Sequence, residues 1–343
     1  MEKIKAEYEN VGKLPGSDLT VFTQLDAKGI YQVYTLRPGA APVCLSCEVR
    51  PGGPKVERNK PMISFHPSGN WIVVGIEEDK HENAWMPKSW QRGLLQSGIW
   101  LNIWITTPNG DRWYQVTDYK KSKKDPSDGF VGVVFTPDGK KGVWAEIIDG
   151  NVFAHTFGVW RLFMADFTVS SDGTPALVNK RDVTPAGAKW VEPGNFAPDG
   201  RHMLISADIG MKDARGQDQF SLDIVTGEVR NLTKSPKVWD EHGVYSPTGR
   251  KITFMSSYPF REKKDSFGVL GLKTEFMMMD ADGGRLQQLT HFNTPGYPEY
   301  QAGGAVAAVT GFVDDGEHLF ATVMSSGFGK TNWTITFAGQ CDR

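Results

Sequence analysis

Short runs of apolar residues, each closed by a polar, glycine-bearing turn, recur along the whole chain. Examples are WIVVGIEE (71–78), IWLNIWITT (99–107), KGVWAEI (141–147), HMLISAD (202–208), KITFMSS (251–257) and HLFATVM (318–324). Their length, their β-branched and aromatic content and the lack of a helical period predict strands. Alternation is poor in WIVVGIEE, as expected of a strand covered on both faces. The turns share a pattern: SFHPSG (64–69), VFTPDG (134–139), NFAPDG (195–200), VYSPTG (244–249) and GFVDDG (311–316). Each ends on a glycine that supplies positive φ to a tight turn. A longer repeat contains two of them, because WVEPGNFAPDG (190–200) returns as WDEHGVYSPTG (239–249) at an offset of 49 residues.

The glycines at 69, 139, 200, 249 and 316 are spaced by 70, 61, 49 and 67 residues. Repeats of that length, with strands on both sides, predict the four-stranded antiparallel blades of a β-propeller. The chain reads as one all-β domain, 1–343, of six blades at about 9–47, 60–117, 130–184, 190–233, 239–290 and 305–338. A seventh blade requires more structure near the N-terminus. A recurring Val/Leu-Thr at Thr117, Thr184, Thr233 and Thr290 marks the ends of four outer strands. The sixth blade runs out of chain, and the segment before Tyr8 is expected to lend it an outer strand, which removes an exposed sheet edge.

Charge changes this picture only by exclusion. Lys plus Arg number 38 and Asp plus Glu 40, a net charge of −2, so there is no basic stripe of the kind nucleic acid requires. No apolar run reaches the ~18 residues of a membrane span. The chain reads as a monomer. The first ten residues, MEKIKAEYEN, lack the apolar core of a secretory leader. Cys44 and Cys47, in CLSC, are expected to form a small structural disulfide, which points to an extracytoplasmic compartment, periplasmic or secreted, with the leader absent; a cytoplasmic location is the alternative.

These turns, the outer-strand endings and phrases such as MMMDADGGRLQQLT (277–290) resemble TolB-type propeller repeats over residues 60–325. Propellers with that repeat include protein-docking scaffolds, domains fused to peptidases and metal-dependent oligogalacturonate lyases, so the resemblance implies a fold before a function. The lyase likeness would make His81, His155 and His242 a three-histidine metal site.

Candidate chemistry gathers in the connections from second to third strand and from one blade to the next, which open on one end of a blade. They carry His81, Trp85, Trp90, Arg92, His155, Asp208, Tyr258 and Arg261, then Asp240, Glu299 and Tyr300. The aromatic and basic members suit stacking on a sugar and pairing with a carboxylate. Glu192 and Glu241 occupy equal places in the repeat and are expected to aim toward the axis from adjacent blades. With His242 they can hold a divalent cation or act as acid and base; the alternative is a salt bridge or cap between blades. Serine-hydrolase, zinc-protease and nucleotide-binding motifs are absent. Two functions fit: a TolB-like binding module presenting the long-loop end to a protein or carbohydrate-like ligand, and a metal-assisted lyase or hydrolase acting on an acidic or sugar-like substrate. The first is the reading taken.

Overall fold

The computed structural model describes residues 2–4, 9–78, 87–119, 128–150, 157–211, 216–262, 271–312, 318–325 and 330–336. Six four-stranded antiparallel sheets make the fold a six-bladed β-propeller. The chain divides into two compact units, Glu7–Val183 on one side and Met1–Ala6 with Thr184–Arg343 on the other.

The first unit holds three blades. Blade 1 is Glu9–Lys13, Thr20–Leu25, Tyr31–Leu36 and Val43–Cys44. Blade 2 is Met62–Phe65, Ile72–Glu77, Leu101–Thr106 and Trp113–Gln115. Blade 3 is Phe130–Phe135, Lys141–Asp149, Val159–Val169 and Pro175–Asp182. In the second unit, blade 4 is Val191–Phe196, His202–Ala207, Asp218–Asp223 and Val229–Asn231. Blade 5 is Asp240–Tyr245, Lys251–Ser256, Glu275–Asp280 and Gln287–Gln288. Blade 6 has Ala305–Phe312, His318–Ser325 and Lys330–Thr336, and its fourth strand is Glu2–Ile4, with Glu2 opposite Thr334 and Ile4 opposite Asn332. The N-terminus therefore supplies the strand that blade 6 lacked. The long connection between the second and third strands of blade 2 contains helix Lys88–Gln96, which the apolar pattern of the sequence does not predict.

The recurring turn glycines do what their sequence context requires. Gly69, Gly139, Gly200 and Gly249 have φ of +69, +72, +67 and +73. Each donates its N–H to the carbonyl three residues back, on His66, Thr136, Ala197 and Ser246. The recurring threonine is a latch between third and fourth strands. Thr117, Thr233 and Thr290 each accept a third-strand N–H, from Ile103, Gln219 and Phe276, and donate their hydroxyls to Asn102, Asp218 and Glu275. Ser46 plays the same part in blade 1, with Val33 N–H and Gln32. Two of the ionisable residues buried here, Asp218 and Glu275, thus serve a repeated structural bond.

Ser46 lies inside the Cys44–Cys47 disulfide. Closing so short a loop restricts the unfolded chain by about 2 kcal/mol. Cys44→Ser is expected to lower the free energy of urea unfolding by that amount under oxidising conditions and by nothing measurable under reducing ones; equal midpoints in both conditions would refute the role.

Candidate functional site

The first strands are not regular. Register shifts fall at Glu9/Gly12, Val131/Val134, Pro193/Phe196, Glu241/Val244 and Ala307/Val309, so a β-bulge recurs at this place in five blades. Bulges re-aim side chains. The residue that absorbs the bend in blades 1, 3 and 5 is left-handed: Asn10 at φ +46, Gly132 at +55 and His242 at +55. These are residue types that tolerate such a backbone. In blade 4 the equivalent residue is Pro193, whose ring holds φ near −65°, and the shift falls one residue later.

This bulge brings His242 to Glu192 of the neighbouring blade. Nε2 lies 3.5 Å from Glu192 Oε1, and Nδ1 lies 4.0 Å from Glu241 Oε2. One ligand atom from each of the three side chains lies within 4.8 Å of the other two. Nδ1 is also 2.7 Å from the Ala308 carbonyl of blade 6, and a carbonyl can only accept, so Nδ1 carries a proton and Nε2 is the nitrogen turned to Glu192. Met255 Sδ lies 3.3 Å from Nδ1. Glu241 is oriented by the indole of Trp239, which donates to Oε2 at 2.8 Å. The repeated glycines let blades 4 and 5 approach this closely. A Cβ on Gly194 would fall 2.5 Å from the Gly243 carbonyl oxygen.

The three groups set one another's charge. Burial opposes the imidazolium, but the Glu241 and Glu192 carboxylates outweigh it and raise His242 to about 10. Burial also opposes ionisation of Glu192, and the imidazolium overcomes it, holding Glu192 below its ordinary value. Glu241 is pushed up to about 7 by burial and by the Glu192 charge, against the pull of His242. His242 and Glu192 are partly exposed, with 26 % and 17 % of their side chains accessible, whereas Glu241 is buried. Such a group can accept hydroxyl protons, donate from Nε2, or ligate a cation.

Other residues predicted for a site have different partners. Asp240 alternates to the opposite side of its strand from Glu241 and is buried, accepting from Ser235 and Ser256. Desolvation raises its pKa to about 7, and the charge of Asp218 adds to the rise. Asp208 accepts the N–H groups of Lys189 and Trp190 and so caps the entry to blade 4. Glu299 is buried and accepts the His291 N–H. Tyr258, Arg261 and Tyr300 are closer to a binding role: the Arg261 guanidinium lies 4.0 Å above the Tyr258 ring, and Tyr300 is exposed. All of these belong to the second unit, at the end where first strands begin. In the other unit, Arg92 and the exposed Trp90 ride on helix Lys88–Gln96. His81, Trp85 and His155 lie outside the described residues. Sequence reasoning passed over two contributors. Trp239 was signalled by its place two residues before Glu241 in the repeat, whereas the Ala308 carbonyl, a backbone group, left no signal.

No protein-family model matches the chain, and no curated protein matches it in sequence. Solved structures do match in fold. The putative TolB from Agrobacterium tumefaciens superposes with a TM-score of 0.54 at 14 % identity, over 98 % of this chain and 91 % of that one. Kuenenia stuttgartiensis hydrazine synthase gives 0.52 at 14 % over 95 % and 78 %. A prolyl endopeptidase gives 0.51 at 11 %, over 98 % of this chain but 42 % of that one. Among the described residues no helix is long and apolar enough to cross a membrane. At these identities the likeness establishes a fold alone, and that fold is a TolB-like β-propeller.

Proposed function

We propose that the chain is a binding module of the TolB-like propeller kind, taking a protein or carbohydrate-like ligand at the first-strand end of the second unit. The observation that supports this is the convergence of Glu192, Glu241 and His242 from adjacent blades while His242 and Glu192 keep part of their side chains open to solvent. Carboxylates accept the hydroxyls of a polyhydroxylated ligand, and the imidazolium donates to its oxygens. Tyr258, with Arg261 over its ring, offers a stacking surface at the same end. The disulfide fits an extracytoplasmic setting. Thermal shift with neutral and uronic-acid oligosaccharides tests the reading: a rise in Tm with one of these classes is expected in the wild type and its loss in Glu192→Gln. No shift with any probe, or a shift that survives Glu192→Gln, counts against a carbohydrate-like ligand at this place.

The second reading, a metal-assisted lyase or hydrolase, is favoured by one further feature, an acid, a base and an imidazole in mutual reach. Its test is product formation from the same oligosaccharides.

A further inference from the structure

We propose that Glu192, Glu241 and His242 are the protein ligands of a divalent first-row transition-metal ion, bound through one carboxylate oxygen from each glutamate and through His242 Nε2. The proposal rests on the reading that this cluster is the functional centre, and it names what the centre holds.

Four features of the geometry point this way. The separations fit first. Ligand atoms around a tetrahedral ion with bonds of ~2.1 Å stand ~3.4 Å apart. His242 Nε2 and Glu192 Oε1 are 3.5 Å apart, and one ligand atom from each of the three side chains lies within 4.8 Å of the other two. The tautomer fits next. Metal-binding histidines commonly donate their second ring N–H to a carbonyl or carboxylate. The Nδ1–H to Ala308 carbonyl bond does this, so Nε2, which faces Glu192, is the nitrogen that ligates once its proton is displaced. Third, Glu241 is itself held by Trp239 Nε1, the outer support expected of a ligating carboxylate. Fourth, the ligand set comes from a place in the fold where its repeat equivalents do not supply it. The residue matching His242 in blade 4 is Pro193, and the left-handed bulge residues in blades 1 and 3 are Asn10 and Gly132. A histidine at this position in blade 5 therefore adds a donor that the bulge itself does not require.

One imidazole with two carboxylates suits zinc, iron, cobalt or manganese in preference to the all-oxygen shells of calcium or magnesium. Three protein ligands also leave coordination positions open, as in catalytic metal sites, where an oxygen of a hydroxyl- or carboxylate-bearing ligand can bind. On loading, the ion takes the place of the Nε2 proton, which goes to solvent, and the neutral imidazole remains as a ligand.

The probe is Co2+, added to the full chain after chelation and dialysis and read by its visible absorption and by calorimetry. One equivalent is expected to bind, with bands of four- or five-coordinate cobalt. His242→Asn, which keeps a residue tolerant of the left-handed backbone, and Glu192→Gln are each expected to weaken binding by roughly 100-fold or more. Trp239→Phe, which removes the indole N–H that supports Glu241, is expected to cost about 10-fold. Far-UV circular dichroism establishes that each variant is folded, and Glu192→Gln serves if His242→Asn is not. Binding that is absent, non-stoichiometric, or unchanged in both ligand variants overturns the proposal. Oligosaccharide thermal shifts that depend on Glu192 without any bound metal would overturn it while leaving the binding reading intact. Stoichiometric Co2+ with no oligosaccharide shift would do the reverse.

Discussion

Lys60→Met is expected to lose about 3 kcal/mol of stability at neutral pH, with the deficit widening as pH rises above 8. The Lys60 side chain is fully buried in the first unit. Its ammonium sits among Gln32 Oε1 at 3.0 Å and the carbonyls of Lys55, Val56 and Arg58 at 3.0, 3.0 and 2.6 Å. Gln32 Oε1 also accepts from Ser46, the Val56 carbonyl from Gln32 and the Lys55 carbonyl from the Arg58 N–H, so the variant removes the charged donor from the cage and leaves these three acceptors with a neutral one. A hydrogen bond to a charged group is worth about 1.5–3 kcal/mol, which sets the size of the effect. The pH dependence follows from linkage. Burial lowers Lys60 from 10.5 to about 8, against the opposing charges of Glu57, Asp26 and Glu77. Between pH 8 and 10.5 the unfolded chain holds the proton and the folded chain has released it, so the unfolding free energy of the wild type rises through that window, by roughly 3 kcal/mol at most. The methionine variant has no proton to lose. Urea unfolding of both proteins at pH 7 and pH 9.5 measures the gap; a deficit below 1 kcal/mol, or one that shrinks at the higher pH, would show that the cage is not structural. Buried so completely, Lys60 is no candidate for chemistry despite its low pKa.

Lys60 also marks where sequence reading stops. The blade plan was legible because its signals are local: a glycine forced into positive φ, a strand-length apolar run, a threonine at an outer-strand end. Even the strand borrowed from the N-terminus was implied, since blade 6 had one too few. The first strand of blade 1, ENVGK, carries no apolar pattern, and it is recognised only by its pairing with Thr20–Leu25. Helix Lys88–Gln96 stayed hidden because it has no N-terminal side-chain cap to announce it. At the site, the repeat placed Glu192 and Glu241 correctly on neighbouring blades. It could not distinguish Asp240, one residue away and turned into the protein, from Glu241, because the bulge that follows is a property of backbone pairing. Asp208 and Glu299 read as ligands by their charge, and their caps to backbone N–H groups appear only in three dimensions.

The bulge and the repeated glycine together lead to the second large effect: Gly194→Ala is expected to cost about 3 kcal/mol and to pull the candidate site apart. Gly194 is not among the residues with positive φ, so alanine suits its backbone and gains slightly from a stiffer unfolded chain. The penalty is therefore wholly steric. The new Cβ would stand 2.5 Å from the Gly243 carbonyl oxygen, 2.9 Å from Leu204 Cβ and 3.1 Å from the Leu204 carbonyl oxygen. Two of these are backbone atoms, so no side-chain rotation can relieve the clash, and overpacking of this kind costs about 1–3 kcal/mol or more. The movement that relieves the closest of them, with Gly243, separates the first strands of blades 4 and 5, and with them Glu192 and His242. Gly227→Ala is the matched control. Its φ is +76 and nothing lies within 4 Å of the new methyl, so only left-handed strain of about 1–2 kcal/mol is expected. Denaturant unfolding orders the two variants, and the imidazole resonances of His242 should move in Gly194→Ala and stay in place in Gly227→Ala. Equal destabilisation with an unmoved His242 would mean that the glycine serves the chain and not the approach of the blades, and the alignment of Gly194 with Gly243 would then have no bearing on the site.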